Sequence, residues 1–192
     1  MDERRAIDLC IAHRDPIGFE YLMRKYQREA YMHAMALVGN PEDAAEACQE
    51  SFASAFASLP RLAELTAFYP WFYRVLRNRC LNMLSRRRTA ANYAKTHDGE
   101  DYTGIPGPET ILGREQEQAD VWRALASLKL EFREILALKY MRGYDYEALA
   151  ALLGIPRGTV MSRLYHARKA FHAAYLDGGR AEASGKGDLD HG

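Results

Sequence analysis

This sequence predicts an all-α fold: two small helical domains joined by a flexible linker, the C-terminal one containing a helix-turn-helix. Apolar residues recur with a 3.6-residue period through most of the first half and again after residue 114. No window alternates apolar and polar residues as a half-buried strand does. Between the two periodic stretches the pattern fails among glycines and prolines. The chain has 192 residues, room for one medium domain or two small ones at roughly 100–200 residues each. With 48% hydrophobic and 27% charged residues it has an ordinary globular composition, which excludes wholesale disorder.

The first helix read from the pattern runs from Pro16 to Leu37, with Phe19, Leu22, Met23, Tyr26, Ala30, Ala34 and Leu37 on one stripe. Gly39 stops it, and Asn40-Pro41-Glu42-Asp43 starts the next. Asn accepts free backbone N–H groups as an N-cap, Pro fits the first turn, and two acids meet the positive end of the helix dipole. That helix reaches about Ser58 and turns Cys48, Phe52, Ala55, Phe56 and Leu59 inward. A third, from about Thr66 to Arg86, buries Phe68, Phe72, Val75, Leu76, Met83 and Leu84. The segment 89–113, rich in Gly and Pro and poor in aliphatics, reads as the linker between a first domain over 1–88 and a second over 114–176. In the second domain Val121, Trp122, Leu125, Phe132, Ile135, Leu136 and Tyr140 restore the helical period. A closing pair, Tyr146–Leu153 and Thr159 to about Tyr175, follows, and 177–192 reads as a disordered tail.

Several classes of function drop out. No apolar run approaches the roughly 18–20 residues that span a bilayer, so no membrane insertion is expected. Met1-Asp2-Glu3-Arg4-Arg5 places acids where a signal peptide has its basic region, and the reading is of a cytoplasmic protein. Cys10, Cys48 and Cys80 lie far apart with no CxxC, and no second Cys/His pair completes a metal site with Cys10 and His13. The thiols read as small buried apolar residues. No Ser–His–Asp set, metal-ligand array or Gly-rich phosphate loop appears, so no catalytic residue, metal or cofactor is expected.

Charge is the informative property. The 26 basic and 26 acidic residues cancel, yet they are segregated. Between Arg28 and Arg61 there is no Lys or Arg, while Asp43, Glu46 and Glu50 recur at helical spacing as an acidic strip. From Trp71 to Arg88 the sign reverses: Arg74, Arg77, Arg79, Arg86, Arg87 and Arg88 meet no acid. Acids are missing again between Glu147 and Asp177, where Arg157, Arg163, Arg168 and Lys169 occur. Clustered Lys and Arg displace counterions from a phosphate backbone, the general source of nucleic-acid affinity. The first basic stretch is preceded by Phe68-Tyr69-Pro70-Trp71-Phe72-Tyr73, and aromatic faces beside arginines suit unstacked bases. Most of these rings read as core, with one or two left to touch a base.

The second basic stretch has helix-turn-helix grammar. Tyr146–Leu153 is a short amphipathic helix, Gly154 makes the turn, and Ile155 anchors the corner. The next helix turns Val160, Leu164, Ala167 and Phe171 inward and leaves Arg157, Met161, Ser162, Tyr165, His166 and Lys169 for solvent or DNA.

Together these segments resemble the extracytoplasmic-function (ECF) group of the sigma-70 family of bacterial RNA polymerase sigma factors, over roughly Phe19–Arg88 and Leu128–Phe171. Asn40 to Phe52 looks like the acidic helix by which such factors grip the coiled coil of the polymerase largest subunit. Phe68 to Asn78 resembles the promoter-melting, minus-10-reading helix, and Gly143 to Arg168 the minus-35-reading helix-turn-helix. The resemblance implies core RNA polymerase as a partner, through that coiled coil and the second-largest-subunit flap, together with promoter DNA. It admits an anti-sigma factor as well, since many members are held inactive by one. It implies polymerase contact through Glu42, Asp43, Glu46, Gln49 and Glu50, although the Asp43-Ala44-Ala45-Glu46 segment has one acid fewer than is usual. The implied minus-10 contacts are Arg61, Thr66, Trp71, Arg74, Arg77, Asn78 and Asn82. The implied minus-35 contacts are Arg157, Thr159, Met161, Ser162, Arg163, Tyr165, His166, Arg168 and Lys169.

Two other readings compete. A sigma-like adaptor that binds an anti-sigma factor without reading a promoter has no use for two intact basic stretches. A one-component helix-turn-helix regulator has none for the acidic helix or the aromatic-arginine helix.

Overall fold

The structure, a computed structural model, describes residues 1–62, 65–97 and 115–185, and the side-chain surroundings of 1–62, 65–90 and 118–177. The chain divides into two compact units, Met1–Thr103 and Gly104–Gly192. The described residues form eight α-helices and a short 3-10 turn, with no strand.

Unit 1 holds α1 (Glu3–Ala12), α2 (Pro16–Val38), α3 (Pro41–Ser58), the 3-10 turn Leu59–Arg61 and α4 (Phe68–His97). The caps follow the sequence grammar. Asp15 accepts from the Ile17 N–H at 2.9 Å to open α2, and Gly39 ends it at φ 82° with its N–H on the Met35 carbonyl. Asn40 accepts from the Asp43 N–H at 2.9 Å and Pro41 sits in the first turn of α3. These bonds fill donors that a helix start otherwise leaves empty.

α1 is a helix the periodicity did not announce. Only Ala6, Ile7 and Cys10 of its residues are buried, too narrow a stripe to stand out beside the helix's four charged residues, Glu3, Arg4, Arg5 and Asp8. It lies against α2 because Gly18 has no side chain: a Cβ there would stand 2.4 Å from the Ala6 carbonyl oxygen. Glu3 then binds three groups at once, accepting from Lys25 Nζ at 2.7 Å, from the Tyr26 hydroxyl, and from the Phe68 N–H at 3.0 Å. A carboxylate on α1 thereby caps the start of α4.

The core of unit 1 is aromatic. Phe72 stacks on Phe52 at 4.4 Å and on Phe68 at 5.2 Å, and Tyr26 stacks on Phe68 at 5.7 Å. The buried His33 Nδ1 lies 2.6 Å from the Tyr69 hydroxyl. Phe68, Tyr69, Phe72 and Tyr73 are all at most 1% exposed, so the aromatic run is core in four of its five rings. Phe56, expected inside, is 49% exposed. It meets Phe19 edge-on at 5.1 Å near the start of α2, where the covering helix runs out. All three cysteines are buried and none forms a disulfide. Burial pushes the Cys48 thiol up to about 12, and burial with the Asp15 charge pushes Cys10 up to about 11. At neutral pH both are inert thiols.

Unit 2 holds α5 (Glu115–Ser127), α6 (Leu130–Arg142), α7 (Tyr146–Leu153) and α8 (Arg157–Gly185), and the first three each pack on α8. Leu125, Ile135, Leu138, Leu149, Val160, Leu164 and Ala167 form its core. Asp145 caps α7 through the Ala148 N–H at 2.7 Å, and Gly154 ends it at φ 66° while the Ile155 N–H reaches the Ala150 carbonyl. Tyr140, placed on the buried stripe from sequence, is 65% exposed. Its ring instead lies under the Arg168 guanidinium.

Two boundaries differ from expectation. α4 continues through 89–97, read as linker, because Thr89-Ala90-Ala91-Asn92-Tyr93-Ala94 contains three strong helix formers and no breaker. α8 continues through 177–185, read as tail, despite Gly178 and Gly179. The remainder of the expected linker and tail lies outside the described residues.

Candidate nucleic-acid interface

The acidic helix α3 has two charged faces rather than one. Glu42, Glu46 and Gln49 are exposed and follow one another at i, i+4 and i+7, a single strip open to solvent. Asp43 and Glu50, two turns apart on the flank, turn toward α4. Asp43 is only 6% exposed. Its carboxylate accepts from Asn40 Nδ2 at 2.9 Å and pairs with Arg87 of α4. Glu50 pairs with Arg79 Nε at 3.0 Å. The family resemblance implied five residues offered together to a partner; in the fold Asp43 is committed to packing α3 against α4, because it occupies the third position of its helix and faces the neighbouring helix. The arginine run that met no acid along the chain meets two in space.

Helix α4 shows a second face. Arg74, Asn78 and Asn82 are exposed and Trp71 half-buried, at i, i+3, i+7 and i+11. Trp71 is the one ring of the aromatic run not fully enclosed, tilted against Phe68 at 5.8 Å. One large π-surface, two amides and a guanidinium therefore share a stripe, with Arg86 and Arg88 exposed beyond it. Arg77 lies half-buried off that stripe. Arg61, ending the 3-10 turn, and Thr66 are both exposed in the connection to α4. Residues 63 and 64 of that loop lie outside the described residues. Arg79, part of the basic stretch but not among the implied minus-10 contacts, lies three residues before Asn82 and so on the edge of the stripe.

In unit 2 the exposed face of α8 consists of Met161, Ser162, Tyr165, His166 and Lys169. Met161 is 51% and Tyr165 64% exposed. Such large apolar groups left in water mark a contact surface when polar groups surround them. Ser162 donates back to the Thr159 carbonyl at 3.1 Å, and Tyr165 stands edge-on to His166 at 5.2 Å. Thr159 and Arg163 lie half-buried on one flank. Arg157 is exposed at the helix start, paired with Glu147 of α7 at 3.0 Å, a surface pair that competing anions can open. Arg168 donates from Nε to the Tyr140 hydroxyl at 2.8 Å, which raises its pKa further. It is anchored to α6 rather than aligned with the exposed face.

Among the described residues no group of three or more His, Cys, Asp or Glu is placed to hold a metal, and no helix is long and apolar enough to cross a membrane.

Comparison with known proteins places these faces in a family. Residues 22–90 match the model of sigma-70 region 2, and residues 118–171 that of sigma-70 region 4. The chain is 30% identical over 168 residues to the RNA polymerase sigma-H factor of Pseudomonas aeruginosa, covering 83% of this chain and 87% of that one. It is likewise 30% identical over 164 residues to the ECF RNA polymerase sigma-E factor of Salmonella typhimurium, covering 81% and 85%. Among solved structures it is similar to the sigma factor RpoE in complex with the anti-sigma factor NepR from Bartonella quintana. That match has a TM-score of 0.62 at 23% identity, covering 81% of this chain and 95% of that one. CnrH in complex with the cytosolic domain of CnrY aligns with a TM-score of 0.66 at 20% identity, covering 92% and 98%. α3 and α4 fall in the first matched region and the helix-turn-helix in the second, in the order of their charge pattern. The chain belongs to the sigma-70 family of RNA polymerase sigma factors, within its ECF group.

Proposed function

We propose that this sigma factor directs initiation through three faces: α3 for core polymerase, α4 for the minus-10 element and α8 for the minus-35 element. The observation that supports the assignment is that each face is largely exposed and lies within a matched family region. Glu42, Glu46 and Gln49 would meet the largest-subunit coiled coil, where an acidic strip steers association and fixes orientation. Arg74 and Arg61 would hold phosphates of the opening strand, while Asn78 and Asn82 read an unstacked base beside Trp71. Binding only the opened form lowers the cost of melting, because a ligand shifts an equilibrium by its differential affinity for the two states. Met161, Ser162, Tyr165 and His166 would lie in the major groove of duplex DNA, with Arg157, Arg163 and Lys169 toward phosphates.

The bond-making chemistry belongs to the polymerase, and the factor acts in the cytoplasm where polymerase and promoter meet. An inhibitor of the anti-sigma class is a further partner, an inference supported by the RpoE–NepR complex among the similar structures.

Run-off transcription with bacterial core polymerase, this chain and fragmented genomic DNA tests the reading. Transcripts whose 5′ ends map downstream of shared paired motifs are expected. Asn78→Ala with Asn82→Ala should cut initiation at least tenfold while leaving polymerase binding intact. Firm polymerase binding with no initiation would favour the adaptor.

A further inference from the structure

We infer that Arg79 is a further contact for promoter phosphate, and that Glu50 controls its availability. The inference rests on the reading of α3 as the polymerase face and α4 as the DNA face.

Two ion pairs join these helices and they differ in kind. Asp43 has a side chain 9% exposed, with Asn40 on one oxygen and Arg87 on the other. No outside cation can reach it without dismantling the start of α3, so this pair is fixed structure. Glu50 and Arg79, two turns along, have side chains 42% and 32% exposed and meet at 3.0 Å. A pair so open to water is weak, and either member yields to a competing partner.

Glu50 follows Gln49 and lies one turn beyond Glu46, on the border of the exposed acidic strip. Arg79 follows Asn78 and lies one turn before Asn82, on the border of the reading stripe. The pair thus stands where the two faces adjoin. In the free chain the carboxylate neutralises the guanidinium. A basic polymerase surface seated on Glu46 and Gln49 competes for the same carboxylate and releases Arg79. Its long side chain then reaches the phosphates flanking a base held at Asn78 and Asn82. Polymerase binding and strand binding are coupled through one ion pair, and the coupling runs both ways.

The test measures affinity of the full chain for a labelled single-stranded deoxyoligonucleotide of mixed sequence across a salt series, free and bound to core polymerase. A phosphate contact is sequence-independent, and each one steepens the dependence of log K on log salt by about 0.7 for a single strand. In the free chain Glu50→Gln should tighten binding about threefold and steepen the slope by about 0.7, one phosphate. Arg79→Gln should change the free chain's affinity less than twofold but weaken the polymerase-bound form several-fold, with the slope shallower. Arg79→Lys should retain the slope in the bound form, which separates charge from packing. An unchanged slope for Glu50→Gln in the free chain overturns the masking. Equal losses for Arg79→Gln in both forms overturn the gating. A chain that fails to bind polymerase at all refutes the functional reading and the gating with it, while the free-chain slope still decides whether Glu50 masks Arg79.

Discussion

Glu3 offers the sharpest test of how unit 1 is held together, since one exposed-looking acid near the chain start joins three helices. Replacing it by Ala removes the acceptor for the Phe68 N–H, the Tyr26 hydroxyl and Lys25 Nζ. Hydrogen bonds to a charged group are worth about 1.5–3 kcal/mol each, and a half-exposed ion pair adds at most about 1 kcal/mol. The Glu3 side chain is 23% and the Lys25 side chain 39% exposed, so water recovers part of the loss. A net cost of about 2–3 kcal/mol remains, from the near-full value of one buried bond and partial values of the others. At a urea slope of about 1.5 kcal/mol per M for a unit this size, the midpoint falls by about 1.5–2 M. Tryptophan fluorescence reads this directly, because Trp71 lies in unit 1 and Trp122 in unit 2; a Trp122→Phe background isolates the first. The dependence on pH has a definite sign. Burial alone would raise the Glu3 carboxyl pKa, but Lys25, Tyr26 and the Phe68 N–H outweigh it and hold the pKa below 4.5. A depressed carboxyl stabilises fully above its unfolded pKa and loses that contribution as pH falls through the folded one. The gap between wild type and Glu3→Ala should therefore be complete at pH 7 and narrow progressively as the pH falls below 4.5. A gap below about 0.5 kcal/mol at pH 7, the usual scatter of surface substitutions, or one that persists unchanged to pH 3, would refute the reasoning.

Other positions give independent expectations. Gly18→Ala forces a Cβ to 2.4 Å from a backbone oxygen of α1, and overpacking of that kind should cost about 2–3 kcal/mol in the same urea assay. Arg14→Gly should instead stabilise unit 1 by about 1 kcal/mol, because Arg14 is held at φ 52°, a conformation glycine adopts freely; a thermal melt unchanged or lowered would count against this. Arg133 is 93% buried, its pKa lowered by desolvation, and its Nε and Nη1 find no hydrogen-bond partner among the described residues. Arg133→Met should raise the stability of unit 2 by about 1–2 kcal/mol, read by Trp122 fluorescence.

Legibility tracked the range of the physics involved. Caps and turns are local, so Asn40, Gly39 and Gly154 could be read in place, and a wide apolar stripe announced α2, α3 and α8. Helix α1 could not be read, because its three buried residues gain meaning only from Gly18 on another helix. The exposed face of α8 was visible because exposure on a helix is periodic: Met161 with Tyr165 falls out of spacing alone, whereas Asn78 and Asn82 of α4 were singled out by the family resemblance. Partnership between helices is not periodic. That Asp43 turns inward, that Arg168 is tied to Tyr140, and that Glu3 caps α4 each depends on a residue distant in sequence.

The charge pattern shows the same limit and its consequence. A net charge of zero says nothing of where the field lies, and charge runs along the chain said more, yet they overstated the separation. Two carboxylates of α3 and two guanidiniums of α4 neutralise one another in space, leaving an acidic strip of Glu42 and Glu46 and a reading stripe whose nearest exposed cation is Arg74. A factor with all six arginines of 71–88 exposed would attract any polyanion, since phosphate affinity is indifferent to sequence. In the proposed coupling, the Glu50–Arg79 pair keeps affinity for stray nucleic acid low until the polymerase is bound. On that proposal, specificity comes from the amides and rings that remain, acting on a strand already opened.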